Sequence, residues 1–304
     1  MKTPPYLSPG DTIGIVSPAR SIEMKSLRPF ISRLAEQDLK VKFGKNLFEK
    51  EHQFSGTDSQ RSFDLSEQFT DDEIRVIFAA RGGYGTGRLL RSLDPELISR
   101  HPKWLVGFSD LTALHSWLNR YAGMESLHGL MPFTMSADPE ADDENFENLM
   151  NVLRGNPVIY SLQDHPLNHP GKVRGILTGG NLSVLYSLAG SDMEPDYEGK
   201  ILFLEEVDEY LYHIDRMMLN FELRDVFRKI RGLIVGDFTR MHDNETSFGK
   251  KAYEIIAERA HKYSIPTLFG FPAGHGKKNC TLILGRESTL TCREGEQSLK
   301  MYTT

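Results

Sequence analysis

Residues 103–121 read KWLVGFSDLTALHSWLNRY. An apolar run enters Gly107-Phe108-Ser109-Asp110 and passes directly into a segment where Leu111, Leu114, Leu118 and Tyr121 fall on one helical face. A strand that hands over to an amphipathic helix within one tight turn is half of a βαβ unit. The turn itself holds Ser109.

Outward from this stretch the same alternation continues. Toward the N-terminus lie TIGIVSPA at 12–19, KVKFGK at 40–45 and RVIFAA at 75–80, and MESLHG follows at 124–129. Between them run helical stretches such as SLRPFISRLAEQ at 26–37 and RLLRSL at 88–93. Strands alternating with helices predict an α/β class with a doubly wound parallel sheet. The proline-rich, polar stretch QDHPLNHPGK at 163–172 reads as a linker, which divides the chain into residues 1–162 and 171–304. The second half is mixed, with strands expected at 173–179, 200–207, 231–238, 266–271, 279–285 and 288–294. Helices are expected around 181–188, 214–223 and 250–261.

Composition narrows the class. The chain has 304 residues, 39% apolar and 26% charged, which is the balance of a globular protein with a sizeable core. A formal net charge of -6 gives no electrostatic footprint for nucleic acid, so none is expected as partner. Tandem prolines, Pro4 and Pro5, interrupt the N-terminus where an export signal needs an apolar core. No window approaches the run of about 18 apolar residues that a membrane helix needs. A soluble, cytoplasmic protein with no membrane partner is expected. The two cysteines, Cys280 and Cys292, are too few for a disulfide framework or a four-thiolate metal site, and read as buried thiols.

Four features could carry chemistry. Ser109 stands at a helix N-terminus, where free amides favour negative charge, as an acyl-transfer nucleophile requires. The same position suits a plain helix cap, and the second glycine of G-x-S-x-G is missing. RVIFAARGGYGTGRLL at 75–90 ends a strand in four glycines. It matches neither nucleotide fingerprint, so it is a tight turn or a backbone donor of an oxyanion hole. Glu205 and Glu206 end the apolar strand in KILFLEEV, where alternation sends one of the two inward. His275 lies between Gly274 and Gly276 in a loop between strands. Each has a bland reading as a surface or strand-end residue. Together they supply a hydroxyl, a carboxylate, an imidazole and amide donors, which are the parts of a serine hydrolase.

These residues resemble the LD-carboxypeptidase family of serine peptidases, which includes murein tetrapeptide carboxypeptidases and microcin C immunity peptidases. The likeness rests on SPA at 17–19, ARGGYG at 80–85, GFSD at 107–110, His128-Gly129 and TGGNLSVL at 178–185. It continues with LFLEE at 202–206, IDRM at 214–217, and GHG at 274–276 followed by NCTLILG. The resemblance implies Ser109 as nucleophile, Glu205 as acid and His275 as general base, with the amides of Gly83 and Asp110 as oxyanion hole. It also implies a flavodoxin-like N-terminal domain carrying the nucleophile and a smaller β-rich α/β C-terminal domain carrying the acid and base. A homodimer is implied as well. The implied reaction releases terminal D-alanine from murein tetrapeptide during cell-wall recycling, with no cofactor and no metal. Where the family has Leu-Glu-Asp this chain has Leu204-Glu205-Glu206, which leaves Glu206 open as the acid.

Two rival readings stand beside it. A microcin C immunity-type peptidase would use the same residues on an aspartyl-nucleotide conjugate, but such proteins carry a longer tryptophan-bearing loop. Here Trp104 and Trp117 flank the nucleophile turn and read as core. A two-domain solute-binding protein without catalysis is the other rival, and it would not react with a serine-directed phosphonate.

Overall fold

A computed structural model describes residues 1–136 and 139–302. The chain divides into two compact units, residues 1–156 with 280–284, and residues 157–279 with 285–304.

The first unit alternates strand and helix. In order come β1 (Thr12–Val16), α1 (Met24–Glu36), β2 (Lys40–Phe43), α2 (Asp58–Thr70) and β3 (Ile74–Ala79). They are followed by α3 (Pro95–Arg100), β4 (Trp104–Gly107), α4 (Thr112–Trp117), β5 (Ser126–His128) and α5 (Pro139–Leu153). The parallel strands stand in the order β2-β1-β3-β4-β5, which is the flavodoxin-like order. β4 is buried at every position, as expected of a central strand covered on both faces. Local chemistry sets the helix starts. Thr57 and Gln60 exchange side-chain bonds in a capping box at α2. Asp94 accepts from the amides of Glu96 and Leu97 at α3, with Pro95 in the first turn.

Two expectations for this unit change. RLLRSL forms two short 3₁₀ turns, Thr86–Arg88 and Leu90–Ser92, because Gly85 and Gly87 weaken helix propagation. The stretch NCTLILG, expected among second-half strands, supplies Leu282–Leu284, which pairs antiparallel with β5 at the edge of the first sheet.

The second unit contains β6 (Val158–Leu162), β7 (Gly171–Asn181), α6 (Leu182–Ser187), β8 (Ile201–Val207), α7 (Leu211–Leu223) and α8 (Val226–Lys229). Next are β9 (Gly232–Thr239), α9 (Ala252–Lys262), β10 (Thr267–Phe269), the strand β11 (Leu282–Leu284) already placed, β12 (Glu287–Arg293) and β13 (Glu296–Met301). Its sheet runs β10-β9-β8-β7-β12-β13-β6. The first four strands are parallel and the remainder antiparallel. Leu202 and Leu204 of β8 pack with Met217, Phe221, Ile255 and Ile256 beneath α7 and α9, which forms the core of this unit. β6 pairs with β13. The boundary therefore falls at 156–157, ahead of the expected 162, because five residues of alternating burial complete an edge of the second sheet. No described helix is long and apolar enough to cross a membrane.

Candidate active site

In the first unit β4 ends at Gly107, Phe108 is extended, and Ser109 then adopts φ 64°. A non-glycine residue in the left-handed region costs roughly 1–2 kcal/mol, and such strain gathers at functional turns. A 3₁₀ turn, Ser109–Leu111, leads into α4. This is the strand-turn-helix expected from the sequence, and Ser109 does not cap it through its side chain.

The glycine-rich turn after β3 lies against this serine. A Cβ on Gly82 would stand 3.1 Å from the Ser109 Cβ and 3.3 Å from its Oγ, so a glycine is what allows the approach. Gly83, the expected donor, has φ 117° and its open side is covered by Arg20. The Gly83 and Asp110 amides meet no acceptor among the described residues. Asp110 ties the two turns together, since its Oδ2 accepts from the Thr86 amide at 2.9 Å and its carbonyl from the Thr86 hydroxyl. Burial pushes the Asp110 carboxyl up against those stabilising bonds.

Beneath the turn, His115 is fully buried, with Nε2 2.9 Å from the Gly107 carbonyl and Nδ1 2.9 Å from Ser126 Oγ. A carbonyl only accepts, so Nε2 carries the proton and Ser126 donates to Nδ1. Burial pushes the imidazole down to about 4, leaving it neutral. It is a brace for the strand end, and the helical spacing of the sequence did not distinguish it from core.

In the second unit His275 Nδ1 lies 2.7 Å from Glu205 Oε2. Burial pulls the imidazole down, but the hydrogen bond and charge of Glu205 outweigh it and the net shift is upward. Of the two strand-end acids, one was expected inward, yet both are buried, Glu205 at 0% and Glu206 at 2% exposure. Alternation gives them different partners. Glu206 accepts from Asn181 Nδ2 at 2.8 Å and from the amides of Ser183 at 2.7 Å and Val207 at 2.9 Å. Burial, then repulsion from Glu205, pushes Glu206 up to about 7.

The loop around His275 is shaped by its glycines. A Cβ on Gly274 would stand 2.9 Å from Glu205 Oε2, and one on Gly276 would stand 2.4 Å from Asp237 Oδ2. Asp237 accepts from the Gly276 amide at 3.0 Å, and Asn279 Oδ1 from the Gly274 amide at 3.1 Å. Burial pushes Asp237 up to about 6. Asp237 enters because the β8–β9 register shifts between Leu204 and Glu206, an irregularity that periodicity does not encode. Thus Ser109, Asp110 and the Gly82–Gly83 turn come together in one unit, and Glu205 and His275 in the other. Among the described residues no group of three or more His, Cys, Asp or Glu is arranged to hold a metal ion.

Residues 13–129 match the LD-carboxypeptidase N-terminal domain and residues 174–290 the LD-carboxypeptidase C-terminal domain. The chain is 33% identical over 296 residues to a probable murein peptide carboxypeptidase of Bacillus subtilis, covering 96% of this chain and 92% of the relative. It is 28% identical over 314 residues to the microcin C7 self-immunity protein MccF of Escherichia coli, covering 92% and 90%. Its fold superposes on the muramoyltetrapeptide carboxypeptidase of Oxalobacter formigenes with a TM-score of 0.87 at 27% identity, covering 96% of this chain and all of the other.

Proposed function

This chain belongs to the LD-carboxypeptidase family, and from that premise we propose that it is a serine carboxypeptidase releasing terminal D-alanine from murein tetrapeptide. The observation that carries the reading is the Glu205–His275 hydrogen bond at 2.7 Å. With Nδ1–H directed to a buried carboxylate, the ring's lone pair falls on Nε2, which is the tautomer a general base needs. Ser109 is the nucleophile. As its hydroxyl attacks the amide carbonyl of the L-centre, His275 Nε2 takes the proton and the Gly83 and Asp110 amides receive the oxyanion. Each such donor is worth about 3 kcal/mol of barrier. Collapse of the tetrahedral intermediate breaks the C–N bond, and the imidazolium, steadied by Glu205, protonates the departing D-alanine amine. Water, activated by the same histidine, releases the acyl-enzyme. Glu205 is preferred over Glu206 as the acid of this reading because Asn181, Ser183 and Val207 hold the Glu206 oxygens.

Family membership also supports cytoplasmic action on small peptides and a homodimer, the latter tested by sedimentation. Against the nucleotide-conjugate substrate of an immunity peptidase stands the burial of both tryptophans, Trp104 and Trp117, which leaves no indole to stack on a nucleobase. The test is mass spectrometry of murein tetrapeptide incubated with the protein, beside the all-L diastereomer and the Ser109→Ala variant. Loss of one alanine from the D-terminated peptide alone, abolished by Ser109→Ala, is expected. No cleavage of it, with hydrolysis of an aspartyl-nucleotide conjugate instead, would transfer the assignment to the immunity reaction.

A further inference from the structure

Beside the Ser109 turn lies a cationic feature that the hydrolytic chemistry does not use. Arg81 immediately precedes Gly82, whose backbone packs on Ser109. Its guanidinium is half-buried, donates to the Ser21 carbonyl at 3.2 Å and stacks 4.0 Å above the Phe133 ring. Arg20 crosses the Gly83 backbone, and a Cβ there would meet its Cδ at 2.6 Å and its Nε at 2.9 Å. Arg81 feels the Arg20 charge: burial first, then that charge, pushes Arg81 down from its usual value. No carboxylate pairs with either among the described residues, and the nearby Asp110 oxygen is taken by the Thr86 amide. Two adjacent guanidiniums, one half-buried and fixed on an aromatic ring, repel each other until an anion sits between them.

The surrounding pocket has the same sign. Arg81 lines it with Ser21, Lys25, Lys50 and Phe133, and its one acid, Glu23, is occupied by Lys25 at 2.6 Å. The pocket therefore begins one residue along the chain from the backbone that touches the nucleophile. A carboxypeptidase needs a receptor for an anion close to its nucleophile, because its substrate ends in a free carboxylate one residue beyond the scissile amide. The geometry points to Arg81 and Arg20 as the receptor for the substrate's terminal carboxylate, which makes them the residues that confine cleavage to the chain end. This rests on the carboxypeptidase reading of Ser109.

The experiment compares murein tetrapeptide with its C-terminal amide on the wild-type protein, Arg81→Met, Arg81→Lys and Arg20→Met. An uncharged phosphonate reports the reactivity of Ser109 in each. Loss of a charge-assisted, two-point contact predicts a fall of about 100-fold in kcat/KM on the free acid for Arg81→Met, carried mainly by KM. Cleavage of the amide and phosphonate labelling should stay within about twofold, and Arg81→Lys should recover part of the loss because it keeps charge without the planar fork. An acid-over-amide preference that survives in both methionine variants overturns the assignment. Should Arg81→Met not fold, the exposed Arg20→Met carries the same test, and an unchanged preference there overturns it. Failure of the serine reading looks different, since the wild-type protein would take no phosphonate at Ser109 and release no alanine. In that case calorimetry on the Ser109→Ala protein decides, with tighter binding of acid than amide that vanishes with Arg81→Met upholding the site and equal binding overturning it.

Discussion

Ser109 itself adopts the left-handed backbone, at φ 64°, whereas in the loop around His275 the positive φ of 130° is taken by Gly274. The Ser109 turn is held from outside: Gly82 packs on the serine, Thr86 bonds both ends of Asp110, and neutral His115 fastens the Gly107 carbonyl. The His275 turn is held by charge, with Glu205 on the imidazole and Asp237 on the following amide. Under the proposed mechanism the serine must be aimed, which suits a turn with strain and rigid packing. The histidine must be tuned, which suits a turn without that strain that gathers carboxylates.

The largest expected effect removes the active atom from either turn. Ser109→Ala and His275→Ala should each lower kcat by about 10⁴-fold or more with the circular dichroism spectrum unchanged, and near wild-type turnover by either would break the comparison. Next, Glu205→Gln should cost about 10³-fold in kcat, since an amide neither steadies an imidazolium nor fixes the tautomer. Glu206→Gln should stay within about tenfold by the same argument; steady-state kinetics giving the reverse ranking would move the acid to Glu206. A third change probes the packing of the Ser109 turn. Gly82→Ala places a methyl 3.1 Å from the Ser109 Cβ, and a displaced serine should lower kcat by about 100-fold, read against a phosphonate labelling rate that falls in parallel.

The tuning of the His275 turn is read from pH. As the proposed general base His275 would act when neutral, and its pKa is shifted above the ordinary value, so kcat/KM should rise with pH through a limb placed above 6.5. Glu205→Gln removes the negative charge that helps to raise it and leaves burial, which lowers it, so the residual activity should show that limb at lower pH. A limb that does not move would disconnect Glu205 from the titration. The smallest expected effect concerns stored strain. Ser109→Gly should be more stable than Ser109→Ala by about 1 kcal/mol in denaturant unfolding, because glycine adopts this φ freely and alanine does not. Equal stabilities would mean that the turn carries no strain.

Much of this was legible in residues 103–121, where an apolar run, one turn and an amphipathic helix lie within nineteen consecutive positions. The parallel strands of the first unit and the glycines around His275 were legible for the same reason, since period and turn chemistry are properties of neighbouring residues. Three things were not. Gly82, rather than Gly83, packs on the serine, which depends on how two βα turns meet across β3 and β4. Leu282–Leu284 leaves its sequence neighbours for the edge of the first sheet, and Val158–Leu162 joins the second. An edge strand chooses its sheet by the partner's register, which its own alternation does not contain.

The sequence by itself thus determined the α/β class, the strand-turn-helix that presents Ser109 and the family to which its blocks belong. Only the tertiary structure decided which carboxylate reaches the imidazole. Glu205 and Glu206 are chemically near-identical neighbours, and strand alternation sends them to different partners. The β9 register shift and the glycine-lined loop deliver His275 to Glu205, while Asn181 and the Ser183 amide take Glu206. Hydrogen-bond partners that lie 70 residues apart in the chain, as Glu205 and His275 do, are set by packing.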